Sequence, residues 1–270
     1  MSLKGFMEDA YQGRVRQGRL KKGASEPVLS IEDLADRVGK RPGKREVAEH
    51  APADPRLLFR LLQSRPEDPR GKAIWGYLTS LAAERAEGPI EVLPGDYAGL
   101  ELESGGIVVV AGVEGGPPGE HIGERMSGGR IVVRGQAGDY LGQEMQGGGL
   151  VAQSCGNYAF RNMAGGWGVV LGDAGHYPGL GNRGGRILIR GRAGDRAGWL
   201  MNAGRLVIRG DVGEYLGMMM KGGQILVKGQ AGSRAGWHMR GGSISAAKGG
   251  PESGEEGGDV LGRILGRTGH

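Results

Sequence analysis

From residue 105 to residue 246 the chain is written in short apolar runs of alternating pattern, each about four residues long and each fenced by glycines. A run such as Ile131-Val-Val133 sits between a Gly128-Gly129 pair and a second cluster at Gly135 and Gly138, with Met126 just ahead of it. The phrase then repeats. Counted from the first residue of each glycine pair, copies begin at 105, 128, 147, 165, 184, 203, 222 and 241, in steps of 23, 19, 18, 19, 19, 19 and 19, and only the copy at Ala203 replaces glycine. A period near 19 residues is too short for a helix-pair repeat and matches one coil of a β-solenoid, with strands joined by glycine corners where the backbone takes φ > 0. The pattern therefore predicts about eight stacked coils.

Aligned on that period, the copies resolve into columns. Ile131, Leu150, Ile187, Leu206, Ile225 and Ile244 form one, interrupted at Gly168; Val133, Ala152, Val170, Ile189, Ile208, Val227 and Ala246 form another. Residues two apart on a strand share a face, so these two columns are expected to fill the interior. The positions between them should face outward and yet are aliphatic: Val132, Val151, Val169, Leu188, Val207 and Leu226, bordered by Arg130, Arg186 and Arg205 on one side and Arg134, Arg190, Arg209 and Lys228 on the other. A continuous apolar stripe of this length predicts a lid. Two occupants fit, the chain's own helices at 55–86 or another protein chain. A further column passes from Glu124, Gln143 and Arg161 to Leu180, Trp199, Met218 and Trp237; facing outward it would be a docking patch, facing inward a wider core. Methionines at 126, 145, 163, 201, 220 and 239 read as fillers of the glycine corners.

Ahead of the repeat the pattern becomes helical. Ser30 with Asp33 reads as a capping box before Ile31, Leu34 and Val38, in a helix stopped by Gly39 and Pro42. Asp54-Pro55 and Asp68-Pro69 each place an acidic N-cap before a proline in a first turn. The helices they open carry Leu57, Leu58, Leu61 and Leu62, then Ile74, Trp75, Leu78, Leu81 and Ala82. Three short helices bury little on their own, so this region is expected to pack on the solenoid or a neighbour. Ile90 to Leu93 and Leu100 to Val110 read as the first strands. The divisions expected are a basic arm over 1–29, a helical region over 30–88, the β-helix over 89–250 and a tail over 251–270 that caps the open end. The insertion Glu114–His121 reads as an exposed corner loop.

Composition sharpens this division. Nine of the 58 glycines fall in residues 1–90, and the others follow the period, which argues for order rather than low complexity. The formal charge is +5, and residues 1–90 hold 17 Lys/Arg against 13 Asp/Glu. That excess is mixed with acids and carries no interleaved aromatics, so a solvated basic face or an arm against an acidic partner protein fits it better than nucleic acid. One cysteine and five histidines rule out a disulfide framework and leave no Cys/His metal cluster. With no apolar run of ~18–20 residues and no signal-peptide pattern, a cytoplasmic protein is expected. The step of 18 puts Cys155 in the column of Ala137, Ala174, Ala193, Val212 and Ala231, a small inward corner, and predicts a buried structural thiol. His176 falls in the polar turn column of Asp139, Asn157, Asp195 and Glu214, where a solvated histidine is expected.

The phrase Gly217-Met-Met-Met220-Lys-Gly222-Gly223-Gln-Ile225-Leu-Val227-Lys-Gly229-Gln-Ala231-Gly232 resembles the GXGXG β-helix superfamily over residues 100–246. That superfamily includes the β-helical chain of formylmethanofuran dehydrogenase, its counterpart in the formyltransferase/hydrolase complex, and the C-terminal domain of glutamate synthase. The uninterrupted methionine-Gly-Gly coils look more like the first type, while residues 1–90 do not match what precedes the helix there. The resemblance implies an all-β, right-handed parallel β-helix and a non-catalytic scaffold that binds no cofactor itself. Its implied partners are amidohydrolase-like, formyltransferase-like and pterin-enzyme-like subunits, which carry any pterin or metal; no catalytic residue is implied. The alternative is a separately encoded β-helix of a glutamate synthase-like enzyme, bracing amidotransferase and FMN subunits. A free-standing carbohydrate-binding β-helix would need a carboxylate cluster beside Trp199 and Trp237. No His-Glu-x-x-His, Gly-x-Ser-x-Gly or single dinucleotide fingerprint is present.

Overall fold

The computed structural model describes residues 30–110 and 118–249. The expected basic arm, the first part of the insertion and the C-terminal cap lie outside the described residues. Four helices come first: α1 (Ile31–Arg37), α2 (Lys44–His50), α3 (Pro55–Leu61) and α4 (Pro69–Arg85). Nine strands follow: β1 (Ile90–Val92), β2 (Gly106–Val110), β3 (Arg130–Ala137), β4 (Gly149–Cys155), β5 (Trp167–Val170), β6 (Arg183–Ile189), β7 (Ala203–Ile208), β8 (Gln224–Gln230) and β9 (Ser243–Lys248). They pair in sequence order in one sheet, every pair parallel, which makes a β-solenoid of about eight turns.

From β3 onward the register is the one read from the period; the first step is 24 rather than the 23 counted between glycine pairs, because Gly106 partners Arg130 and Ile107 partners Ile131. Ile107, Ile131, Leu150, Gly168, Ile187, Leu206, Ile225 and Ile244 are successive partners, as are Val133, Ala152, Val170, Ile189, Ile208, Val227 and Ala246. The side chains of both columns are buried. Each glycine corner brings backbone against backbone: a Cβ on Gly128 would meet the Glu103 carbonyl oxygen at 1.9 Å. The interruption at Gly168 has a local remedy. Phe160 takes the position held in other coils by Gly142, Gly179, Gly198 and Gly217, with φ 57, and its ring is fully buried where the missing aliphatic side chain would stand. A Cβ on Gly168 would lie 2.2 Å from that ring. Asn182 likewise replaces the expected methionine of its coil; its amide donates to the Gly185 carbonyl and accepts from the N–H groups of Gly184 and Gly185.

The helical region departs from expectation in one way. It has four helices, because Lys44–His50 folds behind a Gly43 N-cap that makes no side-chain bond and buries only Val47, too weak a pattern to read. The other three follow their caps: Ser30 makes both bonds of its capping box, and Asp54 and Asp68 accept from first-turn N–H groups. The region's place, which the sequence left open, is decided by the fold. Helix α4 seals the first coil at the end of the rod and does not lie along the stripe. Thr79 Oγ1 accepts from Gly99 N–H at 2.8 Å, Ser80 Oγ donates to the Leu100 carbonyl at 2.7 Å, and Lys44 Nζ reaches Glu84, Glu103 and the Glu101 carbonyl. Helices and coils share one hydrophobic core, so the end of the solenoid is closed by apolar contact and its polar backbone groups by side-chain partners. Residues 97–104 form that turn rather than the strand expected from Leu100 onward.

Candidate functional site

The outward stripe begins at Val108 and runs through Val132, Val151, Val169, Leu188, Val207 and Leu226 to Ser245. It has two halves. Val108, Val132 and Val151 are buried in a small core of their own, packed with Val110, Trp167, Val169 and Leu171. Trp167 reaches across Gly149, where a Cβ would lie 1.9 Å from the indole. Arg134, at the border, pairs with Glu91 at 3.0 Å. Beyond Val151 the stripe opens: Val169, Leu188, Val207 and Leu226 are partly exposed. None of the helices belongs to this second cluster.

Around the open half the cations stand in two rows. Arg186 and Arg205 are strand partners on one side, and Arg190, Arg209 and Lys228 follow the last interior residues on the other; all five are exposed. Like charges on neighbouring strands repel. No Asp or Glu occurs in 186–190, 205–209 or 224–228, and none of the five has an ion pair among the described residues. Beside the buried half, the corner glycines and the α4–β1 connection bound a groove of about 680 Å³, with Glu87, Pro89, Arg130 and Trp167 on its rim.

The corner on the other side of each strand carries a feature that the column count could have found. Tyr97, His121, Tyr140, Tyr158 and Tyr177 recur on the period and stack with ring centroids 4.8, 4.6, 5.0 and 4.8 Å apart. Arg196 then lies between Tyr177 and Tyr215, at 5.5 and 5.2 Å, and Arg234 follows 5.6 Å from Tyr215. All eight residues have φ between 56 and 64, each a non-glycine in the left-handed region. The N–H groups of the first seven donate into the next coil, as Tyr140 does to the Asn157 carbonyl, and this bonding holds the strained corner. Trp199 and Trp237 are partly exposed and lean on Tyr177 and Tyr215 at 5.7 and 5.8 Å, with Met218 between them equally placed. The ladder thus braces the Trp column from beneath. Desolvation by burial, followed by the nearby carboxylates of Glu124, Asp96 and Glu120, raises the Tyr97 hydroxyl above its ordinary pKa.

The remaining sequence candidates take structural places. Cys155 pairs with Ala137 and Ala174 in its column and is buried, and burial pushes its thiol up to about 12, away from the thiolate that nucleophilic chemistry needs. His176 is exposed; its Nδ1 accepts from the Asp195 N–H at 3.0 Å. It is one rung of a ladder in which Asp139, Asn157 and Asp195 accept likewise from the next coil. Among the described residues no three His, Cys, Asp or Glu side chains group as metal ligands, and no helix is long and apolar enough to cross a membrane. No protein-family model matches the chain, and no curated protein matches it.

Proposed function

We propose that this chain is a non-catalytic scaffold of a multi-subunit enzyme complex, of the one-carbon, formylmethanofuran type that its repeat resembles, and that it holds a partner on its outer wall. The carrying observation is the open half of the stripe, a partly exposed row of Val169, Leu188, Val207 and Leu226 between cations that have no ion pair among the described residues. An aliphatic row flanked by repelling charges is stabilised when a complementary surface covers it. The parallel sheet presents that row with fixed spacing, which suits a part whose task is to position other proteins.

The test is to purify the natively tagged chain from its source cells under gentle conditions and identify stoichiometric companions by mass spectrometry. Amidohydrolase-like and formyltransferase-like subunits are the expected companions. Companions of amidotransferase and FMN type would move the assignment to a glutamate synthase-like enzyme. Recovery of the chain alone would overturn the scaffold assignment.

A further inference from the structure

We infer that the open half of the wall receives one amphipathic α-helix of a partner protein, laid along the rod axis, with aliphatic residues on its inner face and acidic residues on both flanks. The inference rests on the scaffold proposal above and adds the chemistry of what docks.

Geometry sets the shape of the occupant. Arg186 and Arg190 are four residues apart on an extended segment, which separates the two cationic rows by roughly 13 Å, with Leu188 midway. A helix is ~10–12 Å across with its side chains, so one helix bridges the rows and two do not. Along the axis, coils recur every ~4.8 Å, close to the ~5.4 Å pitch of a helix. Each helical turn therefore meets about one coil, and an i, i+3, i+4 aliphatic seam follows Val169, Leu188, Val207 and Leu226 in order. The seat is bounded at both ends, by the buried Val151 and by the polar Ser245.

Charge sets its composition. The exposed Arg186 and Arg205 on one flank, and Arg190, Arg209 and Lys228 on the other, call for Glu or Asp on both shoulders of the helix. A second copy of this wall would set cation against cation. A nucleic-acid backbone would answer the cations and leave the aliphatic row facing phosphate.

The full-length chain would be titrated against three fluorescent probes: an 18-residue helical peptide with a Leu seam and Glu shoulders, the same peptide with Lys shoulders, and a 16-base-pair DNA duplex. The Glu peptide is expected to bind at least tenfold more tightly than either alternative, and more weakly as salt rises. Arg190→Glu combined with Arg209→Glu should weaken it at least tenfold, and Leu226→Ser severalfold, with melting temperatures unchanged. Equal binding of both peptides, tighter binding of the duplex, or indifference to the substitutions would each overturn the inference. In the native complex, carbodiimide coupling should join Lys228 to a partner carboxylate. Coupling to Glu252, Glu255, Glu256 or Asp259 of the same chain would give the seat to the C-terminal segment and overturn it too. These failures differ from failure of the scaffold proposal, which is decided by whether any companion co-purifies with the unaltered chain.

Discussion

The exchange between Phe160 and Gly168 offers the sharpest quantitative test of how the core is built. In other coils a glycine with positive φ faces an aliphatic side chain, as at Gly217, where a Cβ would lie only 2.4 Å from Ile244 Cδ1. In the fifth strand the partners are reversed: the glycine is Gly168 and the large side chain is Phe160, fully buried at φ 57. Replacing Phe160 with glycine removes a buried ring, a loss of about 3–5 kcal/mol for truncations of this size, and relieves a left-handed strain of roughly 1–2 kcal/mol. The net cost is about 1–4 kcal/mol, which for a chain of this size lowers the melting temperature by roughly 2–16 °C. Replacing Gly168 with isoleucine drives a Cβ to 2.2 Å from the ring and costs at least about 1–3 kcal/mol by overpacking. The double variant, F160G with G168I, rebuilds the arrangement of its neighbours, so its loss should fall well below the sum of the two. Thermal and urea unfolding of the four proteins in a double-mutant cycle read this coupling. Additive losses would refute the complementarity, and so would an F160G protein as stable as the parent.

Three further outcomes follow from single contacts. Thr79→Val keeps the shape of a buried side chain and removes the acceptor for Gly99 N–H, costing about 1–3 kcal/mol; hydrogen exchange should show residues 31–85 opening earlier while the later strands keep their protection. Asn182→Ala orphans the corner N–H groups of Gly184 and Gly185 and should cost a similar ~1–3 kcal/mol, measured as a lower urea midpoint. Cys155, the single cysteine, should stay unmodified by a disulfide reagent at pH 8 until denaturant is added. Its folded pKa lies above the unfolded value, so the unfolded chain binds fewer protons as pH climbs from about 9 towards about 12, and stability falls over that window. Cys155→Ala should flatten that fall, and a parent and variant with the same alkaline slope would show the thiol to be ionisable in place.

What the sequence determined by itself is the one-dimensional part of this fold. A repeat of 19 residues puts every coil in the same relation to the next, so counting alone paired Ile131 with Leu150 and Ile225 with Ile244. Counting also placed Cys155 against Ala137 and Ala174 across the short step. The rungs from His121 to Tyr177 obey the same count and Tyr97 follows the 24-residue step of the first coil, but strand alternation does not announce the ladder, because corner aromatics add nothing to that pattern. Helix starts at Ser30, Asp54 and Asp68 were legible because a cap is a local bond between neighbours in the chain.

Only the tertiary structure decided where the helices rest. The sequence left α4 free to cover the stripe or to pack elsewhere, and Thr79, Ser80 and Lys44 find their partners at the first coil. It also decided that Phe160 answers Gly168, eight positions away in the chain yet adjacent in the core. The division of one uniform aliphatic stripe into a buried and an open half is of the same kind, since exposure depends on what lies above a strand and not on the strand's own residues. The physical reason is common to all three. Stacking between like coils repeats a local rule, whereas docking and void filling depend on surfaces that meet only once the chain has folded.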